Sequence, residues 1–405
     1  MGKQTNSDTL LPDFASSKNR RRIESLSSQH SSRPRHKRWA IIVPPADPGS
    51  LGDEAMIQAL TTKLRRKLYT VDLLVSDVNQ DWSHIDGIRR KVSEKDYLEA
   101  LPDYANFYLI GADVLDGYYS AKTPQKLLWY TFVAAHLSGR ATIIGSSFNR
   151  TPTKEVIASF SILPTSVRVC MRDKFSLNNF KEKTGRDATL VSDVAFLLKP
   201  AISDHTSPYT RWTHEQKLIG QKVVGVNMSQ HSFLDIGFGD PKYNARYMAA
   251  ELRRVLDSRP EISLIFLPHD IRPNFGDAEI LSGVFSQLSE KYPNRVKLVD
   301  TKLVGAAGIK AIARTVNVIV SGRMHLAIAS LGTGVPVASM VYQGKFEGLY
   351  AHFNIEGLTV SPRDVLDNKG KFAEIITILL TQEQELREKI AQHLPAVLKL
   401  SKNNL

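Results

Sequence analysis

Residues Val318–Tyr342 read VIVSGRMHLAIASLGTGVPVASMVY. A short apolar run, Val318–Val320, stops at Ser321-Gly322, and Arg323 and His325 follow in the first turn of a predicted helix. That helix ends near Gly332 and Gly334, and a second apolar run begins at Pro336. Strand, tight turn, helix, turn, strand is the repeating unit of an α/β domain. Such domains bind ligands at the turn that follows a strand. A helix start there offers unpaired N–H groups and the positive end of the helix dipole, which suit an anion. Arg323 and His325 make that place an anion site with a titratable partner, and Gly322 lets the backbone approach a ligand. A solvated arginine beside a loop-capping histidine is the alternative reading of the same letters.

The same rhythm extends in both directions. Toward the N-terminus, strands are predicted at Trp39–Val43, Val71–Val75, Phe107–Ile110, Ala141–Ile144, Val167–Met171 and Thr189–Val191. Four successive ones run into Gly111-Ala112-Asp113, Gly145-Ser146-Ser147, Arg172-Asp173 and Asp193, as when a doubly wound sheet lines a crevice with loops from one edge. Gly52-Asp53-Glu54-Ala55 opens an amphipathic helix to about Leu68, where the two acids also suit the helix dipole. Residues 77–105 are polar and irregular and read as a helix or two. A second series has strands at Val223–Val226, Ile262–Leu267 (running into Pro268-His269-Asp270) and Val296–Val299 before the central stretch. The expected fold is two doubly wound Rossmann-like α/β domains in a two-lobed GT-B-like arrangement, with the site in the cleft between lobes. The domains are placed at 39–200 and 222–370, with a linker at 201–221. The helices of 371–405 are expected to cross back toward the first domain.

Composition fits two soluble domains: 405 residues, 42% hydrophobic and 23% charged. No run approaches the ~18 consecutive apolar residues of a membrane span. The N-terminus has no apolar core after its basic residues, so it does not read as a secretory signal. The single cysteine, Cys170, sits in an apolar run as a buried small hydrophobe and fits a reducing cytoplasm. Of the net charge of +12, half comes from residues 1–38, which hold nine Lys or Arg against three acids. That segment is rich in serine and reads as a disordered basic arm, suited to anionic lipid headgroups at the inner face of a membrane or to solubility alone. Nothing there interleaves aromatics for nucleic acid, so none is expected.

Ser-Gly-Arg-Met-His-Leu-Ala, then Gly-Val-Pro-Val and Tyr342-Gln-Gly-Lys345, resembles the polysaccharide pyruvyl transferases. Their C-terminal signature is Arg-x-His followed by small apolar residues, Gly-x-Pro and Tyr-x-x-Lys. The resemblance spans 40–360 and is strongest at its end. It implies transfer of the pyruvyl group of phosphoenolpyruvate to a sugar as a pyruvate ketal, without metal or cofactor. The acceptor would be an exopolysaccharide, capsule or wall-polymer precursor, lipid-linked if the arm is a membrane tether. It implies donor binding by Arg172 (in Cys-Met-Arg-Asp), Arg323, Met324, His325 and Lys345, with His325 as the acid. Gly52-Asp53-Glu54-Ala55 resembles the family's Asn-x-Gly-Asp-Glu-Ala segment and makes Asp53 first choice for the base, with Asp113 second. The acceptor is assigned to Asp53, Glu54, Asp113 and His269, although a satisfied loop histidine is the plainer account of His269. Three departures lie in the N-terminal half: Ser50 stands where the family often has Asn, Gly111-Ala112-Asp113 replaces a glycine-rich triplet, and Gly145-Ser146-Ser147 lacks a Gly-Pro pair. The rival readings are a GT-B glycosyltransferase using a nucleotide sugar and a non-catalytic saccharide- or anion-binding protein. No P-loop, dinucleotide glycine pattern or Gly-x-Ser-x-Gly elbow occurs.

Overall fold

The computed structural model describes residues 36–405 apart from 235, 274–275 and 342–345, together with Arg21, Ile23, Ser25 and Ser28. The chain forms two compact units. The first comprises Met1–Asp47, Thr61–Gln80 and Asp86–Leu190; the second comprises Pro48–Leu60, Asp81–Ile85 and Val191–Leu405.

The first unit is built on β1 (His36–Val43), β2 (Thr70–Val75), β3 (Ile88–Ser93), β4 (Tyr104–Ile110), β5 (Arg140–Ser146), β6 (Arg168–Met171) and β7 (Thr189–Leu190). Their order is β3-β2-β1-β4-β5-β6-β7, and every pairing is parallel. The second unit has β8 (Lys222–Val226), β9 (Ile262–Phe266), β10 (Val296–Leu298), β11 (Val318–Ser321), β12 (Val337–Met340) and β13 (Thr359–Val360). These run parallel in the order β10-β9-β8-β11-β12-β13. Both sheets are therefore doubly wound, with strand order reversing between β1 and β4 and between β8 and β11. Their central strands are buried on both faces, which explains the unbroken apolar runs Ala40–Val43 and Val318–Val320. In the first unit Phe148, Phe160 and Phe180 meet edge to face at 5.0–5.8 Å and seal helices onto the sheet.

Several elements differ from expectation. Residues 77–105, read as polar and irregular with a helix or two, hold the short helix Tyr97–Ala100 and the helical turn Leu101–Asp103, but β3 also crosses them. It is an edge strand reading Ile-Arg-Arg-Lys-Val-Ser, and charged edges are tolerated where a central strand would not be. Its arginines are anchored on Asp72, a fully buried carboxylate that also accepts from the Tyr104 hydroxyl. The boundary between units falls after Leu190, and the expected linker at 201–221 contains the helix Ser207–Leu218 of the second unit. The last helix, Glu383–Lys402, packs on residues 192–197 of its own unit, where Ser401 Oγ donates to the Asp193 carbonyl at 2.9 Å and Asn404 Nδ2 to Ser192 O at 2.9 Å. Most of the arm at 1–38 lies outside the described residues. Within it, Ile23 is helical and buried in the first core, and His36–Arg38 begin β1. Cys170 is buried, and burial pushes its thiol up to about 11. Among the described residues no helix is long and apolar enough to cross a membrane.

Candidate functional site

In the second unit β9, β8 and β11 lie side by side, so the segments leaving their C-terminal ends are neighbours. These segments carry Leu267-Pro268-His269-Asp270, Asn227-Met228-Ser229 and Gly322-Arg323. They meet at the topological switch point, where open α/β sheets hold ligands. Gly322 is required by closeness: a Cβ on it would sit 2.6 Å from Ser229 N. Ser321 Oγ accepts from Arg323 N at 3.1 Å and turns the chain into the helix Met324–Leu331.

Asp277 ties the segments together. It is fully buried, and its carboxylate accepts from Asn227 Nδ2 (2.8 Å), the His269 backbone N (3.0 Å) and Arg323 Nε (2.8 Å). Arg323 Nη2 lies 2.7 Å from the same carboxylate, completing a forked grip. Burial raises the Asp277 pKa, and the Arg323 charge is the largest opposing influence. Arg323 Nη1 lies 3.3 Å from Asp270, whose carboxylate is itself gripped by Arg272 at 2.5–3.2 Å. The guanidinium is thus held in place by two carboxylates before any ligand arrives.

His325 lies on the other side of this arginine in sequence and faces two elements. Its Nε2 is 3.4 Å from Asp193 Oδ2, within ion-pair range but without hydrogen-bond alignment, and it has no hydrogen-bond partner among the described residues. Its Nδ1 edge meets Gly52, where a Cβ would lie only 2.2 Å away. The start of the helix Leu51–Arg66, through Leu60, belongs to the second unit. It is fastened there by Leu51 N donating to His269 O (3.0 Å) and by a Ser50–Asp270 bridge, with Ser50 Oγ accepting from Asp53 N (3.3 Å) as a cap. Asp53 stands close enough to Arg272 to raise its pKa. Glu54 accepts from Ala306 N at 2.6 Å, at the kink where Gly305 takes φ 65°. Burial raises the Glu54 pKa against that bond and against His84. This carboxylate fastens one helix to another.

His269 departs from the expectation of a satisfied loop histidine. It is 3% exposed, and neither ring nitrogen has a hydrogen-bond partner among the described residues. Burial, then the charges of His325 and Arg323, push its pKa down to about 3, so it is neutral at pH 7. Asn227 Oδ1, Ser229 Oγ and Ser232 Oγ are also buried without such a partner. Buried polar atoms rarely go unpaired, so their concentration around Arg323 marks a place suited to polar groups from outside the chain. The depressed His269 pKa makes stability pH-dependent. The neutral ring costs nothing above pH 6.5, its unfolded value, and below it the unfolded chain takes up a proton that the folded one refuses. Urea unfolding should therefore show stability falling by roughly 2–4 kcal/mol between pH 7 and 4 on this account. In His269→Gln that part of the pH slope should vanish.

The first unit holds the other expected residues. Arg172, 5% exposed at the end of β6, donates from Nε to Ser147 Oγ at 2.6 Å, and Ser147 N donates to Ala112 O at 2.6 Å. The ends of β4, β5 and β6 are thereby joined, with Asp113 nearby accepting from the Tyr119 hydroxyl at 3.1 Å. Asp173 caps the helix Lys174–Thr184 through Ser176 N at 2.7 Å. Lys345 lies outside the described residues. Sequence reading missed Asp270, Asp277, Asn227 and Ser229 as partners in this site, and it placed Asp193 at a strand end. There it acts as a cap, accepting from Ala195 N at 2.9 Å, but its other oxygen faces His325. Beside it, Lys310 is buried with its pKa pushed down to about 8, donating to Ala195 O and Phe196 O. No group of three His, Cys, Asp or Glu that could hold a metal ion occurs among the described residues.

The sequence model of the polysaccharide pyruvyl transferase family matches residues 51–344, which contain Arg323, His325, His269, Asp277 and Arg172. No curated protein sequence matches the chain. Among solved structures it resembles UDP-GlcNAc 2-epimerase from Neisseria meningitidis bound to UDP-GlcNAc, at TM-score 0.56 and 12% identity over 90% of this chain and 97% of that one. It also resembles Anabaena Alr3699/HepE in complex with UDP and glucose (TM-score 0.54, 13% identity, 90% and 97% covered). A glycosyltransferase from Rickettsia africae ESF-5 is similar to the same degree (TM-score 0.54, 12% identity, 91% and 99% covered). At such identities the likeness establishes the fold, two parallel-sheet α/β domains of the GT-B kind.

Proposed function

Because the chain belongs to the polysaccharide pyruvyl transferase family, we propose that it moves the pyruvyl group of phosphoenolpyruvate onto two hydroxyls of a saccharide, forming a ketal and releasing phosphate. The observation that carries this reading is that unpaired buried polar atoms of His269, Asn227 and Ser229 stand on the segments that meet the pre-positioned Arg323. A small ligand with both phosphate and carboxylate offers acceptors for the neutral His269, the serine hydroxyls and the arginine.

In this reading His325 gives a proton to the methylene carbon of the donor, which leaves its neighbouring carbon electrophilic. The Asp193 carboxylate lies 3.4 Å from the imidazole Nε2. Two sugar hydroxyls add to that carbon and the C–O bond to phosphate breaks. One hydroxyl proton replaces the one given to the methyl group, and the other leaves with phosphate. Arg323 and the start of the helix Met324–Leu331 favour negative charge on the donor throughout. Asp53, with Asp113 second, is assigned to take up one of these two hydroxyl protons and pass it on. Arg172, Met324 and Lys345 remain assigned to the donor, and Asp53, Glu54, Asp113 and His269 to the acceptor. Glu54 contributes there by fixing its helix.

The test is phosphate release from phosphoenolpyruvate with a panel of free and lipid-linked saccharides. Acceptor-dependent release, with a pyruvate ketal in the product, is the expected result. Stabilisation by nucleotide sugars, with none by phosphoenolpyruvate, would replace the donor by a nucleotide sugar. Donor binding without release for any acceptor would make this a binding protein.

A further inference from the structure

Parallel strands all begin on one edge of their sheet, and in the first unit that edge is cationic. Lys37 and Arg38 open β1, Arg140 opens β5, and Arg65, Arg66 and Lys67 close the helix that leads into β2. All six are exposed. The register sets Trp39 beside Thr70 and Asn106 beside Arg140, so these strand starts are neighbours. Arg89 and Arg90 on β3 share the one carboxylate of Asp72, at 2.5 and 3.1 Å, which leaves a further positive charge there. The acids at the strand starts are Asp86, Asp103 and, before β7, Asp187, which pairs with Lys181.

Within this edge stands Leu68, between Lys67 and β2. It is 69% exposed and takes φ 64°, a left-handed conformation that a branched side chain seldom adopts. The helix thus ends by turning an aliphatic side chain outward among cations. None of these residues is among those assigned to the donor or to the acceptor.

We propose that this edge of the first sheet binds the surface of an anionic lipid bilayer. The arginines and lysines meet lipid phosphates and carboxylates, and Leu68 enters the boundary between headgroups and acyl chains. An aliphatic side chain at the centre suits the apolar boundary of a bilayer, whereas a single-stranded polynucleotide calls for exposed aromatic faces and a duplex offers such a side chain only phosphates. Of the aromatic residues on this edge, Tyr104 is buried and Tyr69 and Trp39 are half-buried, and Trp39 already carries His36 and Arg89 at 3.8 Å. A bilayer-bound enzyme would meet a lipid-linked saccharide in two dimensions, but the proposal stands on charge and exposure and not on the reaction.

Co-sedimentation of the full chain with phosphatidylcholine vesicles, with and without about one-third phosphatidylserine, tests it. The chain should bind the anionic vesicles alone and lose them as salt is raised. The triple variant Arg38→Gln, Arg66→Gln, Lys67→Gln should bind on the order of 100-fold more weakly, since each cation contributes about fivefold. Leu68→Asn, which keeps the charge and suits the left-handed backbone, should weaken binding several-fold. Release of phosphate with a soluble acceptor should be unaffected in both. Equal binding to neutral and anionic vesicles would overturn the proposal, as would a triple variant that binds like the parent. Tighter binding of duplex DNA than of vesicles through these same residues would reassign the edge to a polynucleotide.

Discussion

Arg323→Ala is expected to lower phosphate release from phosphoenolpyruvate by about 1,000-fold and to destabilise the protein by about 3–5 kcal/mol. Both effects come from one geometry. The Nε and Nη2 atoms bind Asp277, which has no contact with water, so removing them leaves a buried carboxylate without its counter-charge. Activity falls because the guanidinium is the fixed cation beside the donor in the proposed reaction. The two losses separate in the pair Arg323→Ala, Asp277→Asn. An uncharged amide in place of the carboxylate should restore much of the stability, as read from urea unfolding, and none of the activity. Recovery of activity in the double variant would show that Arg323 serves only to neutralise Asp277.

Gly52→Ala should cost on the order of 100-fold in turnover while leaving secondary structure in place. Alanine favours helix, and in an exposed helix the exchange would stabilise. Here the new methyl group would lie 2.2 Å from His325 Nδ1 and within 2.8 Å of its Cβ, distances that no packed carbon tolerates. The imidazole has to move away from Asp193, or the helix start has to lift from Leu51 N···His269 O. Hydrogen exchange at Leu51 distinguishes the two, since the bond is lost only in the second case. A Gly52→Ala protein with full activity would remove His325 from the reaction, because no arrangement keeps both the methyl group and the present imidazole.

The fold was legible because strands buried on both faces must be apolar without interruption. Runs such as Val318–Val320 and Ile262–Leu267 announce such strands, and the glycines and polar residues after them announce the turns. β3 escaped because an edge strand needs no such run, and its two arginines are anchored on Asp72, seventeen and eighteen positions earlier in sequence. The linker at 201–221 was misplaced because prolines and polar residues mark an exposed segment, whether or not it parts two units. In the site, Arg323 and His325 could be read from their place after a strand. The partner of Glu54 could not be read, since an acid at a helix start suits the dipole whether it is free or fastened to Ala306.

By itself the sequence determined the two parallel α/β domains, the family, and the strand end that carries Arg323 and His325. These depend on local rules: burial sets the period of apolar residues, and chain reversal sets where glycine must stand. Tertiary structure alone decided which partners those residues have. Asp277 and Asp193 reach Arg323 and His325 from 46 and 132 positions away, and Gly52 reaches His325 from 273. No local pattern encodes such pairings, because the charge and shape of a site arise only when separate strand ends are brought to one edge of a sheet.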